Sequence, residues 1–244
     1  MAATTSLFKR AHHQAVEKAL LALNGRLLEE SRCYFGGGTA IALRFNEYRE
    51  SVDIDFLVSD EDAYRNLRKI VSQDGFGALC REGSEIALAS DIASDKVSIR
   101  TWLQIDNTKI KFEIVSEGRV ELDTPPPQWK TCGILMLSPL DMVAEKLLAN
   151  ADRWADDSVF SRDIIDLAAM RLPKNLRITG LAKASSAREY GRQAAKSIQE
   201  AVARMQTRKG WLEECMTSLK MYEGPSPILP VVWMNEIKKI TRGC

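Results

Sequence analysis

The chain has 244 residues, is 45% hydrophobic and 27% charged, and carries a formal net charge of +1. That composition belongs to a globular protein with core enough for one large domain or two small ones, and it excludes a disordered or fibrous chain. No run of 18 apolar residues occurs, so a membrane-spanning helix is not expected. Two further counts narrow the chemistry. The five cysteines (Cys33, Cys80, Cys132, Cys215 and Cys244) are scattered and show no CxxC spacing, which fits a reduced, cytoplasmic protein rather than a disulfide frame or a zinc site. The two histidines, His12 and His13, adjoin each other in the first predicted helix and read as solvated helix residues. Histidine acid–base catalysis is thereby set aside, leaving carboxylates, lysines and arginines.

In chain order, the N-terminal segment reads as an amphipathic helix, with Val16, Leu20, Leu23, Leu27 and Leu28 along one side. A glycine turn at Tyr34–Gly38 leads into a helix from Thr39 to about Tyr48, and Val52–Val58 reads as a strand. Asp60 caps the next helix, whose apolar stripe is Tyr64, Leu67, Ile70 and Val71. Val97–Ile105 and Lys109–Val115 alternate with period two, and the polar link Asp106-Asn107-Thr108 makes them a hairpin. Pro125-Pro126-Pro127 then interrupts regular structure. Beyond it the pattern is helical: a helix opening at Ser138-Pro139-Leu140-Asp141, another capped by Ser161, and a long basic stretch from about Thr179 to Thr207, interrupted near Gly191. The expected fold is therefore α+β, a small mixed sheet with flanking helices over 1–125 followed by a mostly α-helical domain over 126–244.

Two features carry chemistry. Asp53 and Asp55 are separated by one residue of the strand, so both carboxylates project from one face. Clustered carboxylates repel each other unless a cation lies between them, and hard oxygen ligands suit Mg²⁺. Ahead of them, Gly36-Gly37-Gly38-Thr39 enters a helix, where free backbone N–H groups form an anion site. A metal pair beside a phosphate cradle points to nucleotide chemistry. Elsewhere, Arg171 to Lys209 holds ten bases against two acids, a local net charge of +8 that suits an RNA backbone or a solvated helical face.

The GGTAIALR segment followed by RESVDIDF, the helix DMVAEKLLANADR and the RDIIDL segment together resemble the AbiEii/AbiGii toxin family of nucleotidyltransferases, over roughly Tyr34 to Leu172. The resemblance implies a nucleotidyltransferase-like core and transfer of NMP from an NTP to an acceptor hydroxyl, with two Mg²⁺ ions. It also implies a role as toxin in an abortive-infection or toxin–antitoxin system, with an antitoxin protein as partner. A third metal carboxylate belongs on a neighbouring strand, and Glu113 in KIKFEIV is the candidate, although the family more often has aspartate there. Pairing with Lys111 is the structural alternative for Glu113. Gly37, Gly38 and Thr39 would hold the β and γ phosphates. Arg49 and Ser51, immediately ahead of the aspartate strand, are further nucleotide-binding candidates, and Arg49 could reach a phosphate or neutralise Glu47 and Glu50. Lys146 resembles the family's triphosphate-binding lysine, and Arg162 and Asp166, in the following RDIIDL motif, are nucleotide-binding candidates as well. The acceptor suggested is RNA, such as a tRNA end. Transfer to a protein or a small hydroxylated molecule, and a non-catalytic nucleotide- or RNA-binding protein, are the alternatives.

Overall fold

The computed structural model describes residues 6–187, 189–223 and 229–241. The chain divides into two compact units. The first comprises the residues up to Arg44 together with Ser51–Ser138; the second comprises Phe45–Glu50 together with everything from Pro139 onward. The division thus falls at Ser138 rather than at the triproline, and the short segment after the glycine turn belongs to the later, helical unit.

The first unit contains α1 (Ala11–Ala22), α2 (Gly25–Glu30), β1 (Tyr34–Gly36), α3 (Gly37–Arg44), β2 (Ile54–Val58) and α4 (Glu61–Asp74). It continues with β3 (Ala87–Leu88), β4 (Ala93–Ser94), β5 (Ser98–Ile105), β6 (Thr108–Ser116), β7 (Lys130–Thr131) and β8 (Ile134–Leu135). The main sheet runs β1-β2-β6-β5-β3, with β4 also on β5, while β7 and β8 form a separate hairpin. The β2–β6 pair is parallel; the other pairs are antiparallel. This is the small mixed sheet expected.

Local chemistry explains most of these elements. Asp60 accepts hydrogen bonds from the Asp62 and Ala63 N–H groups and starts α4, which buries Tyr64, Leu67 and Val71. Gly75, with φ +71°, ends it. The hairpin turns through two residues, not three, because Ile105 pairs with Thr108 and Asp106 adopts a left-handed conformation. Ile99, Leu103, Ile110, Phe112 and Ile114 of the hairpin face inward. Phe35, Phe56, Phe112 and Phe76 form a continuous aromatic chain with centroids 5.6, 5.7 and 5.0 Å apart. Such pairs contribute about 0.5–1.5 kcal/mol each beyond area burial.

Three expected elements differ in extent. The N-terminal helix breaks at Leu23, whose backbone bridges to Cys80, and Asn24 caps a new helix by accepting from the Leu27 N–H. The glycine-turn helix ends at Arg44 because Asn46 and Glu47 are left-handed, with φ +65° and +49°. The aspartate strand begins at Ile54, leaving Asp53 just ahead of it.

The second unit is helical: α5 (Pro139–Arg153), α6 (Arg162–Ala169), α7 (Lys174–Ser186), α8 (Gly191–Thr207), α9 (Trp211–Ser218) and α10 (Pro230–Ile240). The basic stretch is thus two helices, with Arg188 outside the described residues. Helix α5 buries Met142, Val143, Ala144, Leu147 and Leu148. Among the described residues, no helix is long and apolar enough to cross a membrane.

Gly180 marks a tight passage of α7 past α5. A Cβ there would lie 2.8 Å from the Val143 Cβ, closer than side chains approach. Gly180→Ala is expected to cost roughly 1–3 kcal/mol by overpacking. Adding Val143→Ala should recover part of that loss, as a double-mutant cycle of urea unfolding would register.

Candidate active site

In the first unit, one row of the sheet assembles the acidic residues. Asp55 pairs with Gly36 of β1 on one side and with Glu113 of β6 on the other, and Glu113 pairs with Arg100 of β5. Laterally paired residues share a face, so the Asp55 and Glu113 carboxylates project together while Ile54, Phe56, Phe112 and Ile114 point to the core. Asp53 and Asp55 are half-buried, as are Gly37 and Gly38. Gly37 has φ +68°, and a Cβ there would run into the Asp55 carboxylate. Glycine is therefore needed twice over, for its conformation and for the space Asp55 occupies.

Lys111 completes this face. Its ammonium donates to Glu113 Oε2 at 2.7 Å. The hydrogen bond to Glu113 raises the lysine above its ordinary value against the opposing effect of burial, and the fields of Glu113, Asp55 and Asp53 add to it. A single ammonium thus senses all three carboxylates. The sequence signal for Lys111 is its i, i+2 spacing from Glu113, which gives the two residues one face of the strand.

A divalent ion fits this donor set. The ligands are hard carboxylate oxygens, and a positive charge is already drawn to them. Among the described residues, no three His, Cys, Asp or Glu side chains gather closely enough to cage a metal by themselves. Mg²⁺ commonly takes one or two carboxylates and completes its shell with water and substrate phosphates, and Asp53 and Asp55 are the residues that would hold it.

Thr39 and Ser51 form a link on the same unit. Thr39 is 1% exposed and its hydroxyl donates to Ser51 Oγ at 2.9 Å. That bond engages the Thr39 proton in this structure.

The second unit gathers Arg49, Lys146 and Asp166 into a buried ionic cluster. Asp166 is fully buried and receives Arg49 through two bonds, Nε at 2.7 Å and Nη2 at 3.0 Å. It also accepts from the Tyr48 hydroxyl at 2.5 Å and lies 2.7 Å from Lys146 Nζ. Lys146 reaches Asp163 as well, at 3.0 Å, and Asp163 receives Arg153 at 2.7 and 2.9 Å. Arg49 also donates to the Glu50 carbonyl at 2.8 Å. With its guanidinium held on three bonds and 3% exposed, Arg49 faces inward to Asp166 and the Glu50 carbonyl. Asp166, expected beside the nucleotide, likewise serves the cluster. Arg162 stands half-buried at the start of α6.

Electrostatics in the cluster are strongly coupled. Burial alone would raise both carboxylates, but Lys146 and Arg153 hold Asp163 well below its ordinary value, and Arg49 and Lys146 do so for Asp166. Burial raises the Tyr48 hydroxyl, and the Asp166 charge adds to that. Burial works against the Arg49 charge, yet Asp166 more than offsets it and keeps the guanidinium ionised.

The basic stretch on α7 and α8 is partly used internally. Lys183 bonds Asp141 at 2.5 Å, Lys196 pairs with Glu200, and Arg204 and Arg208 both meet Asp157 while stacking on Trp211. Arg171, Lys174, Arg192 and Lys209 are exposed.

A mixed sheet with paired carboxylates beside a glycine-led helix start is the architecture of a nucleotidyltransferase. A family model described as nucleotidyl transferase AbiEii toxin, type IV TA system, matches residues 18–221, and the chain belongs to that family. The match extends well beyond both ends of the segment in which the motifs lie. Among solved structures, a candidate nucleotidyltransferase from Helicobacter pylori is similar at 14% identity, covering 95% of this chain and 93% of that one, with a TM-score of 0.43. JHP933 from Helicobacter pylori is similar at 14% identity, covering 96% and 94%, with a TM-score of 0.46. No curated protein matches the chain.

Gly37→Ala should displace the Asp55 carboxylate and lower nucleotidyl transfer by about a hundredfold, with an unchanged far-ultraviolet circular dichroism spectrum. Asp166→Ala leaves Arg49 and Lys146 buried without their shared partner and should destabilise the protein by about 3–5 kcal/mol in urea unfolding. Because Asp163 and Asp166 are depressed in the folded state, their contribution is complete above about pH 4 and is lost as pH falls further. Acid titration of stability should therefore be shallower in Asp163→Asn than in the parent.

Proposed function

We propose that the protein transfers a nucleoside monophosphate from a nucleoside triphosphate to a hydroxyl of an RNA acceptor such as a tRNA end, using divalent metal, and that this transfer is its toxic activity. The observation that carries the reading is the sheet row in which Asp55 pairs with Glu113 and packs against the Cβ-less Gly37. A binding module gains little from carboxylates gathered on one face, whereas phosphoryl chemistry requires them.

In this reading Asp53 and Asp55 hold Mg²⁺ through carboxylate oxygens. The bound ion would activate the acceptor hydroxyl and neutralise charge on the triphosphate. The backbone N–H groups of Gly37 and Gly38, at the start of α3, would donate to the phosphate oxygens. Glu113 offers a base for the hydroxyl proton, and Lys111, bonded to it at 2.7 Å, holds its carboxylate in place. The hydroxyl oxygen bonds to the α-phosphorus in line as the bond to the pyrophosphate oxygen breaks. Ser51, anchored by Thr39, sets the approach to Asp53. The exposed bases Arg171, Lys174, Arg192 and Lys209 support salt-sensitive attraction of an RNA backbone. A neutralising protein partner follows from the family's toxin–antitoxin setting.

The test is incubation of the protein with each labelled NTP, Mg²⁺ and total RNA or lysate. Label should enter RNA, vanish on chelation and return with Mg²⁺. Asp53→Asn and Asp55→Asn should each lower incorporation by at least about a hundredfold, and Glu113→Gln should lower it as well. Label in protein instead of RNA would overturn the acceptor assignment, and full activity in the aspartate variants would overturn the metal assignment.

A further inference from the structure

The loop leading into Asp53 is gripped by the chain's two histidines, which the sequence pattern presents only as solvated helix residues. Both belong to α1, which is fixed in the core by Val16 and Leu20, each 0% exposed. His13 is itself 0% exposed, and its Nε2 lies 3.2 Å from the Ser51 backbone nitrogen. His12 is half-exposed, and its Nε2 lies 3.1 Å from the Val52 carbonyl oxygen.

The partners define the proton on each ring. A peptide N–H can only donate and a peptide carbonyl can only accept. His13 Nε2 is therefore the unprotonated nitrogen, with the ring hydrogen on Nδ1, whereas His12 carries its hydrogen on Nε2. Adjacent imidazoles thus use the same atom in opposite roles, one on the N–H of Ser51 and the other on the C=O of Val52. Phe8 meets the His13 ring edge-on, with centroids 6.5 Å apart, and limits its movement.

Ser51 is held from a second direction by Thr39 of α3, the helix whose first residue, Gly37, makes room for Asp55. These contacts hold one side of Asp53, which is joined to Val52 before it and to Ile54, the first paired residue of β2, after it, and has no ladder pairing of its own. A satisfied core histidine needs only some partner. Here two successive histidines find theirs on successive residues of the segment that ends at Asp53.

We propose that His12 and His13 are positioning residues that clamp Ser51 and Val52 and so hold Asp53 in its working relation to Asp55, an inference that rests on Asp53 being a metal-holding carboxylate. Glutamine can present an amide group near the position of Nε2, while leucine fills similar space without polar atoms. In the full-length protein, ¹⁵N-histidine spectra should show His13 with Nε2 unprotonated and His12 with Nε2 protonated. The Ser51 amide should be protected from hydrogen exchange in the parent and in His13→Gln, and should exchange faster in His13→Leu. In the transfer assay, His13→Leu should lower kcat roughly tenfold or more while the KM for NTP changes less than about threefold, and His13→Gln should restore most of the loss. A merely structural histidine would not produce rescue that tracks the Nε2 acceptor.

A protonated His13 Nε2 in the parent would overturn the proposal. So would Ser51 exchange unaffected by His13→Leu, or full kcat in that variant. Should His13→Leu fail to fold, the parent's tautomers and the His12→Leu and His12→Gln pair decide the matter. Full activity in Asp53→Asn would strike the metal reading instead, and the tautomer and exchange data, which require no turnover, judge the clamp separately.

Discussion

The acidic face of the first unit depends on a single register, the parallel pairing that sets Asp55 of β2 beside Glu113 of β6. A slip of one residue would turn every side chain of β2 to the opposite face, sending the carboxylate into the aromatic core and exposing Ile54 and Phe56. That slip is opposed from both sides of the sheet. Inward, Phe56 packs between Phe35 and Phe112. Outward, the Asp55 carboxylate lies over Gly37, the one residue type without a Cβ to obstruct it. The apolar half of the strand thus holds the polar half in place, and the site is the visible side of a packing decision made in the core.

The second unit uses the opposite device. Its central feature is a set of buried charges, the Asp163 and Asp166 carboxylates, the Arg49 guanidinium and the Lys146 ammonium, with the Tyr48 hydroxyl and the half-buried Arg153 at its edge. Desolvating so many charges costs about as much as their attraction returns, so such a cluster contributes specificity more readily than net stability. The bidentate Arg49–Asp166 geometry fixes how Phe45–Glu50 joins the helices, in a way an apolar contact of equal area would not.

Features encoded by short-range patterns were legible in the sequence. The β5–β6 hairpin, the capped α4 and the glycine-to-aspartate spacing all follow from alternation, capping and turn chemistry within about twenty residues. What escaped depends on partners far along the chain. Arg49 beside two acids looks like a phosphate ligand or a local ion pair, and nothing nearby announces Asp166 as its partner 117 residues later. Thr39 looks unpartnered until Ser51 is seen to accept its proton. The histidines sit on a helix face of ordinary appearance, and only the fold brings Ser51 and Val52 to them. The aspartate motif stood out in the sequence by its spacing after the glycine turn, although Asp53 lies just ahead of the strand that carries Asp55; Lys111 needed the added knowledge that Asp55 lies level with Glu113.

The excursion of Phe45–Glu50 into the helical unit has a consequence for how the protein is made. Those residues connect α3 to the aspartate strand, and their carboxylate partner is synthesised 117 residues after Arg49. At about 5–20 residues per second, a ribosome needs on the order of ten seconds to supply it. During that interval the connection between α3 and the aspartate strand exists as chain but lacks its buried anchor. A nascent or prematurely terminated product would thus carry every acidic residue of the candidate site yet leave that connection unfastened. The connection can thus be fastened only once Asp166 has been made, later than every acidic residue of the candidate site.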